Sequence, residues 1–132
     1  ESIIIDKFHV FKTFNYFQDD LLNSVTIKYN RNTGLRDCEI VIDAGDWNLD
    51  VWGTVTITVF NVSSYRIEEL ANRSAQVIST GVHLVEFDGK LGVELGDIPD
   101  PPKTLEKLLS SDLFVLGERV EITMSDELLQ LF

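Results

Sequence analysis

Apolar and polar residues alternate with a period of two along much of this chain. Val25, Ile27 and Tyr29 alternate with Ser24, Thr26 and Lys28, while Cys38, Ile40 and Ile42 alternate with Glu39, Val41 and Asp43. Val55, Ile57 and Val59 alternate in the same way with Thr54, Thr56 and Thr58. This spacing predicts strands at 24–30, 37–43 and 54–60, each with one face on a core and the other wetter. Asn30-Arg31-Asn32-Thr33-Gly34 supplies residues that tolerate positive φ, so the first two strands are expected to form a hairpin. A loop at 44–52 then leads to the third strand.

Farther along, 76–88 reads as one long strand bent at Gly81, and Asp88-Gly89 signals a hairpin into 91–95. Residues 113–116 and 119–124 read as a second tight hairpin turning at Gly117-Glu118. Only one segment argues for helix. Asp100-Pro101-Pro102 stiffens its entry, and Leu105, Leu108 and Leu109 share one helical face, which predicts a short helix near 103–110. Residues 16–22 and 126–131 read as further helical turns. The expectation is a mainly β fold, an antiparallel β-sandwich or half-barrel of about seven to eight strands with one short helix. No repeat or linker interrupts the 132 residues, so 1–132 reads as a single domain.

The aromatic residues modify this picture at the N-terminus. Phe8, Phe11, Phe14 and Phe17 recur every third residue beside Tyr16, half of the chain's eight phenylalanines. Such a row can stack on bases or sugars. Stacking platforms for nucleic acid come with basic grooves, however, and this chain is acidic. The row is therefore expected to lie over the open face of the sheet and plug it. The other apolar cluster, Leu128-Leu129-Gln130-Leu131-Phe132, reads as a core cap or a self-association surface, which leaves a homo-oligomer open.

Eleven basic against 22 acidic residues leave a net charge of −11, with −3 in the first 66 residues and −8 in the last 66. Phosphate backbones and anionic membrane surfaces repel such a molecule, so neither nucleic acid nor membrane is expected as a partner. A basic protein would be steered toward it. The single cysteine, Cys38, fits a reducing, cytoplasmic compartment, and the opening ESIIIDKF does not read as a signal peptide. The sequons at Asn61 and Asn72 are short enough to arise by chance and carry no argument.

Candidate chemistry is sparse. There is no G-x-S-x-G, no phosphate-binding glycine pattern in a strand–loop–helix context, and no His or Cys pair at zinc spacing. Cys38 sits on an apolar strand face, where a thiol behaves as a small hydrophobe. His9 lies among phenylalanines, and His83 lies in a strand between Val82 and Leu84. Glu68, Glu69 and His83 are the residues an enzyme would draw on, but Glu68-Glu69 follows Arg66 and reads first as a surface ion pair. No cofactor is expected, and the chain is read as a non-enzyme.

The stretch Asp46-Trp47-Asn48-Leu49-Asp50 is the exception. Its D-x-N-x-D alternation, with Asp43 just before it, resembles the opening of calcium loops. A calcium loop of the helix–loop–helix type needs Gly at the sixth position and Glu at the twelfth, where Val51 and Ile57 stand. Asp and Asn also serve any strand connection by bonding the local backbone. With Trp52 beside it, the loop reads as a turn that contacts a partner, with Asp46, Trp47, Asn48 and Asp50 as the binding residues. A carbohydrate- or calcium-binding module using 43–52 is the alternative. Trp52 itself is expected to pack on the core edge.

The run Phe17-Gln18-Asp19-Asp20-Leu21-Leu22-Asn23-Ser24-Val25, followed by alternating strands, resembles small bacterial proteins of largely unknown function that open with F-H-D-x-x-[LI]-x-x-[VI]. Some of these are similar to immunity proteins of polymorphic toxin systems. Gln18 stands where that motif has His, and the resemblance covers at most the first sixty residues. It implies a β-rich, non-enzymatic, cytoplasmic protein; the charge of −11 and the lack of a catalytic constellation point to one that binds and occludes a basic partner.

Overall fold

The computed structural model describes residues 6–46, 48–69, 74–96 and 98–132. Among the described residues, eight strands form two antiparallel four-stranded sheets, a β-sandwich. The first sheet has the order β1 (Leu21–Tyr29), β2 (Arg36–Asp46), β3 (Val51–Phe60), β8 (Arg119–Met124). The second has the order β4 (Ser64–Ile67), β7 (Leu113–Gly117), β6 (Lys90–Glu94), β5 (His83–Phe87).

The alternating strands do what their period requires. Ile40 and Ile42 of β2 and Val55, Ile57 and Val59 of β3 are buried against Val93, Leu113 and Val115 of the second sheet, while the threonines of β3 face outward. The second sheet is covered on both sides. Its outer face carries Val85, Phe114 and Leu116, closed by Leu108 of α2 (Leu105–Leu109). Burial on both faces explains why 113–116 is a continuous apolar run without alternation. The predicted helix is present but short. Thr104 caps it by accepting from the Lys107 N–H, and only Leu108 of the three leucines is buried, because five residues make too few turns to seat a whole face.

Two expectations change. Residues 113–124 are not a hairpin, because β7 and β8 belong to different sheets. Gly117 and Glu118 instead cross from one sheet to the other, alongside Asn61-Val62-Ser63, which carries β3 into β4. Since β3 pairs with β8 and β4 with β7, a two-stranded ribbon folds over a corner here. Phe60 opposes Arg119 and Ser64 opposes Leu116, so three residues on one side span two on the other. That extra residue is a bulge at Asn61, whose φ is +52°. The second change concerns 76–88. Strand pairing begins only at His83, and the preceding residues make a single bridge, Leu21 with Val77.

The remaining turns follow local chemistry. Asp88 and Gly89 are both left-handed, the geometry of a two-residue hairpin turn between β5 and β6. The N-terminal aromatics do plug the sandwich. Asp6 caps α1 (Lys7–Thr13), and Phe11, Phe14 and Phe17 are buried, while Phe8 stays 66% exposed. The C-terminus closes the same end: α3 (Asp126–Leu129) buries Leu128, and Phe132 packs against Phe14 and His9.

At the corner, a Cβ on Gly117 would stand 2.5 Å from the Phe60 carbonyl oxygen and 2.9 Å from a Val59 methyl. Neither can yield without moving the β3 backbone or the core. Gly117→Ala is therefore expected to cost about 1–3 kcal/mol in urea melts; an unchanged midpoint would mean that the corner is looser than described.

Candidate functional site

The loop read as 44–52 is much tighter. β2 and β3 pair in register out to Asp46 and Val51, and 48–50 are the described residues of the turn between them. Asp46 Oδ1 accepts from the backbone N–H groups of Asn48 (2.9 Å) and Leu49 (3.2 Å), an Asx turn that builds the bend from its first residue. Asp50 has φ +51°, and its Oδ1 accepts from Trp52 Nε1 at 3.2 Å. Trp47 lies outside the described residues.

Trp52 is on the outer face of the first sheet, 41% exposed, and not at the core edge as its position beside the strand suggests. Its indole lies across its cross-strand partner Gly45, where a Cβ would come within 2.2 Å of the ring. The glycine is what allows the ring to lie flat on the sheet. Beyond it, Leu49 is 61% exposed at the tip. The structure thus brings Asp46, Asn48 and Asp50 together, but it gives the two acids internal duties: one shapes the turn and the other orients a ring. Asp43 stands on the same outer face and accepts from Asn23 Nδ2 at 3.3 Å. Among the described residues, no group of three or more His, Cys, Asp or Glu side chains is arranged to hold a metal ion.

The other candidates separate in space. Cys38 is fully buried in β2, and burial, followed by the nearby Glu39 carboxylate, pushes its thiol up to about 12. A thiolate is therefore not populated near neutrality. Glu68 and Glu69 line an open cleft of about 230 Å³, where Glu69 Oε2 accepts from the Ala75 N–H at 2.7 Å.

His83 has a partner that its place between Val82 and Leu84 does not reveal. Its Nδ1 lies 2.8 Å from Oε1 of Glu94, which is fully buried on the adjacent strand. Glu94 Oε2 accepts from the Gly96 N–H and from Ser111 Oγ, both at 2.7 Å. One carboxylate thus ties β5, β6 and the segment entering β7 through three hydrogen bonds, as burial of such a group requires. Ser111 Oγ donates to the carboxylate and not to the imidazole. The pairing was legible in principle: counting outward from the Asp88-Gly89 turn, Phe87 opposes Lys90 and His83 opposes Glu94.

The Asx turn makes a specific prediction. Asp46→Ala removes the acceptor of two N–H groups and is expected to lower stability by about 1 kcal/mol, whereas Asp46→Asn keeps an acceptor and stays near wild type in thermal melts. Equal losses would show that the charge matters and not the turn. No family model matches the chain, and no curated protein or solved structure matches it either.

Proposed function

We propose that this protein is a non-catalytic, protein-binding β-sandwich that docks a basic partner with the tip of its β2–β3 hairpin. One observation carries the reading. The β2–β3 hairpin, Arg36–Phe60, carries five carboxylates and one basic residue, Arg36 at the end far from the turn, and presents Leu49 outward at its tip. An exposed leucine alone is ordinary. Here it sits in a turn whose backbone is held by Asp46 and whose neighbouring indole is held by Asp50, so its position is fixed before any partner arrives. Preorganised apolar anchors within a charged rim supply affinity at the centre and steering from the periphery.

The mechanism is occlusion: the tip enters a basic site and covers it, with no covalent step. The resemblance of residues 17–25 to toxin-immunity-like proteins supports a bacterial toxin as that partner and the cytoplasm as the place of action. Among the described residues, no helix is long and apolar enough to cross a membrane. A second reading, carbohydrate binding, is favoured by Trp52 on the open sheet face beside the cross-strand pair Asp43 and Thr54. Titration with soluble oligosaccharides, followed by tryptophan emission, separates the two readings.

The test is co-expression with basic proteins encoded by adjacent genes, scored by growth rescue and co-purification. Leu49→Arg is expected to weaken the recovered complex by roughly tenfold or more while changing stability by less than about 0.5 kcal/mol. Failure of every neighbouring product to bind, or a complex indifferent to Leu49→Arg, would sink the proposal.

A further inference from the structure

The segment between α1 and β1 is the most unusual backbone in the molecule. Asn15, Tyr16 and Phe17 have φ of +52°, +56° and +60°, and Asp19 has +66°. Consecutive left-handed residues with side chains are disfavoured, and such a run persists only where its surroundings impose it. The surroundings here are residues 76–82. The Val82 N–H donates to the Tyr16 carbonyl and the Asp19 N–H to the Ile78 carbonyl, both at 2.7 Å. The Ile78 N–H donates to the Asp20 carbonyl (2.9 Å), and the Leu22 N–H donates to the Gln76 carbonyl (2.7 Å). Phe17, Ile78 and Val82 are buried beneath this clamp.

Asp20 sits in the middle of the clamp, only 7% exposed. Among the described residues, its carboxyl group receives no hydrogen bond and no cation approaches it. On its own segment the charged neighbour is Asp19. The facing segment, 76–82, carries no ionisable side chain, and His83 beyond it is paired with Glu94. Across β1, Asp43 stands opposite Leu21. A carboxylate in this setting has burial and like charge against it, and only the solvent that reaches its oxygens to offset them.

We propose that Asp20 is a proton-operated latch: its neutral form holds the left-handed turn at 15–17 against residues 76–82, and its ionised form loosens that clamp. Burial, with the Asp19 charge second, raises the Asp20 carboxyl from 3.8 to about 6. The folded clamp therefore binds a proton that the opened segment releases. The latch contributes fully below the ordinary carboxylate range, and its contribution is lost as pH rises through about 6. That shift sets a ceiling of roughly a hundredfold on the change in the opening equilibrium. The inference does not depend on the proposed partner.

Native-state hydrogen exchange on the full chain tests it, with rates corrected for the intrinsic pH dependence of exchange. The amides of Asp19, Leu22, Ile78 and Val82 are expected to open about tenfold more readily at pH 7.5 than at pH 5, while amides in the centre of β3 do not change relative to one another. Asp20→Asn should abolish the difference and stay protected at both pH values. A carboxyl carbon NMR titration of the wild type should place the Asp20 midpoint near 6, and it decides the matter if the variant does not fold. Equal opening at both pH values, a retained pH dependence in Asp20→Asn, or a midpoint in the ordinary carboxylate range would overturn the proposal.

Discussion

The two sheets are tied together at one corner where there is no spare room, and much of the architecture follows from that contact. Gly117 lies against the Phe60 carbonyl because β3 and β8, paired in the first sheet, both turn at this point into β4 and β7, paired in the second. The ribbon bends once, with Asn61 as the extra residue on the longer side. This holds the inner faces of both sheets in register, so that Ile57 and Val59 meet Val115 and Val93 across the interface. A side chain at the corner would push against the β3 backbone where the chain leaves the first sheet. The Glu118 N–H and the Phe60 carbonyl also share a 2.9 Å hydrogen bond, so the backbone polar groups of the crossing are satisfied as well as packed.

Away from the corner the sandwich is closed by different means at each margin. At one end the aromatic residues of α1 and the turn after it fill the gap, and the C-terminal Phe132 seals them. On the far side of the second sheet a single leucine of α2 completes a small second core. Among the described residues, the outer face of the first sheet receives no such cover. Its threonines and carboxylates make it wettable, and its two central strands run on into the β2–β3 tip. The candidate docking surface is therefore the continuation of a sheet face that the described residues leave open.

How much of this could be read from residue order differs by element, for physical reasons. Strands with one buried face announce themselves, and the alternations around Ile40 and Ile57 placed β2 and β3 within a few residues. Turns made by local chemistry were equally open to reading, as at Asp88-Gly89. Residues 113–124 misled because an apolar run, a Gly and a second apolar run look the same whether the strands pair with each other or with distant ones; the choice of partner is non-local. Residues 76–82 misled because Ile78 and Val82 are buried without strand pairing of their own. The left-handed turn at 15–17 has no signature beyond Asn15, since it is imposed from outside. Within the candidate site, the D-x-N-x-D spacing pointed to the right place. It could not reveal that Asp46 and Asp50 serve the turn and the indole, which depends on register.

The chain's two tryptophans, Trp47 and Trp52, stand five positions apart in the sequence, so a probe on tryptophan carries no signal from elsewhere in the chain. Fluorine NMR of the protein labelled with fluorotryptophan, recorded with and without a partner recovered from co-expression, is the most direct test of the central claim. If the tip is the docking surface, the Trp52 resonance shifts or broadens as the complex forms, in proportion to the bound fraction. If a partner binds stoichiometrically by calorimetry while both resonances stay where they were, docking occurs elsewhere and the account of this hairpin is wrong.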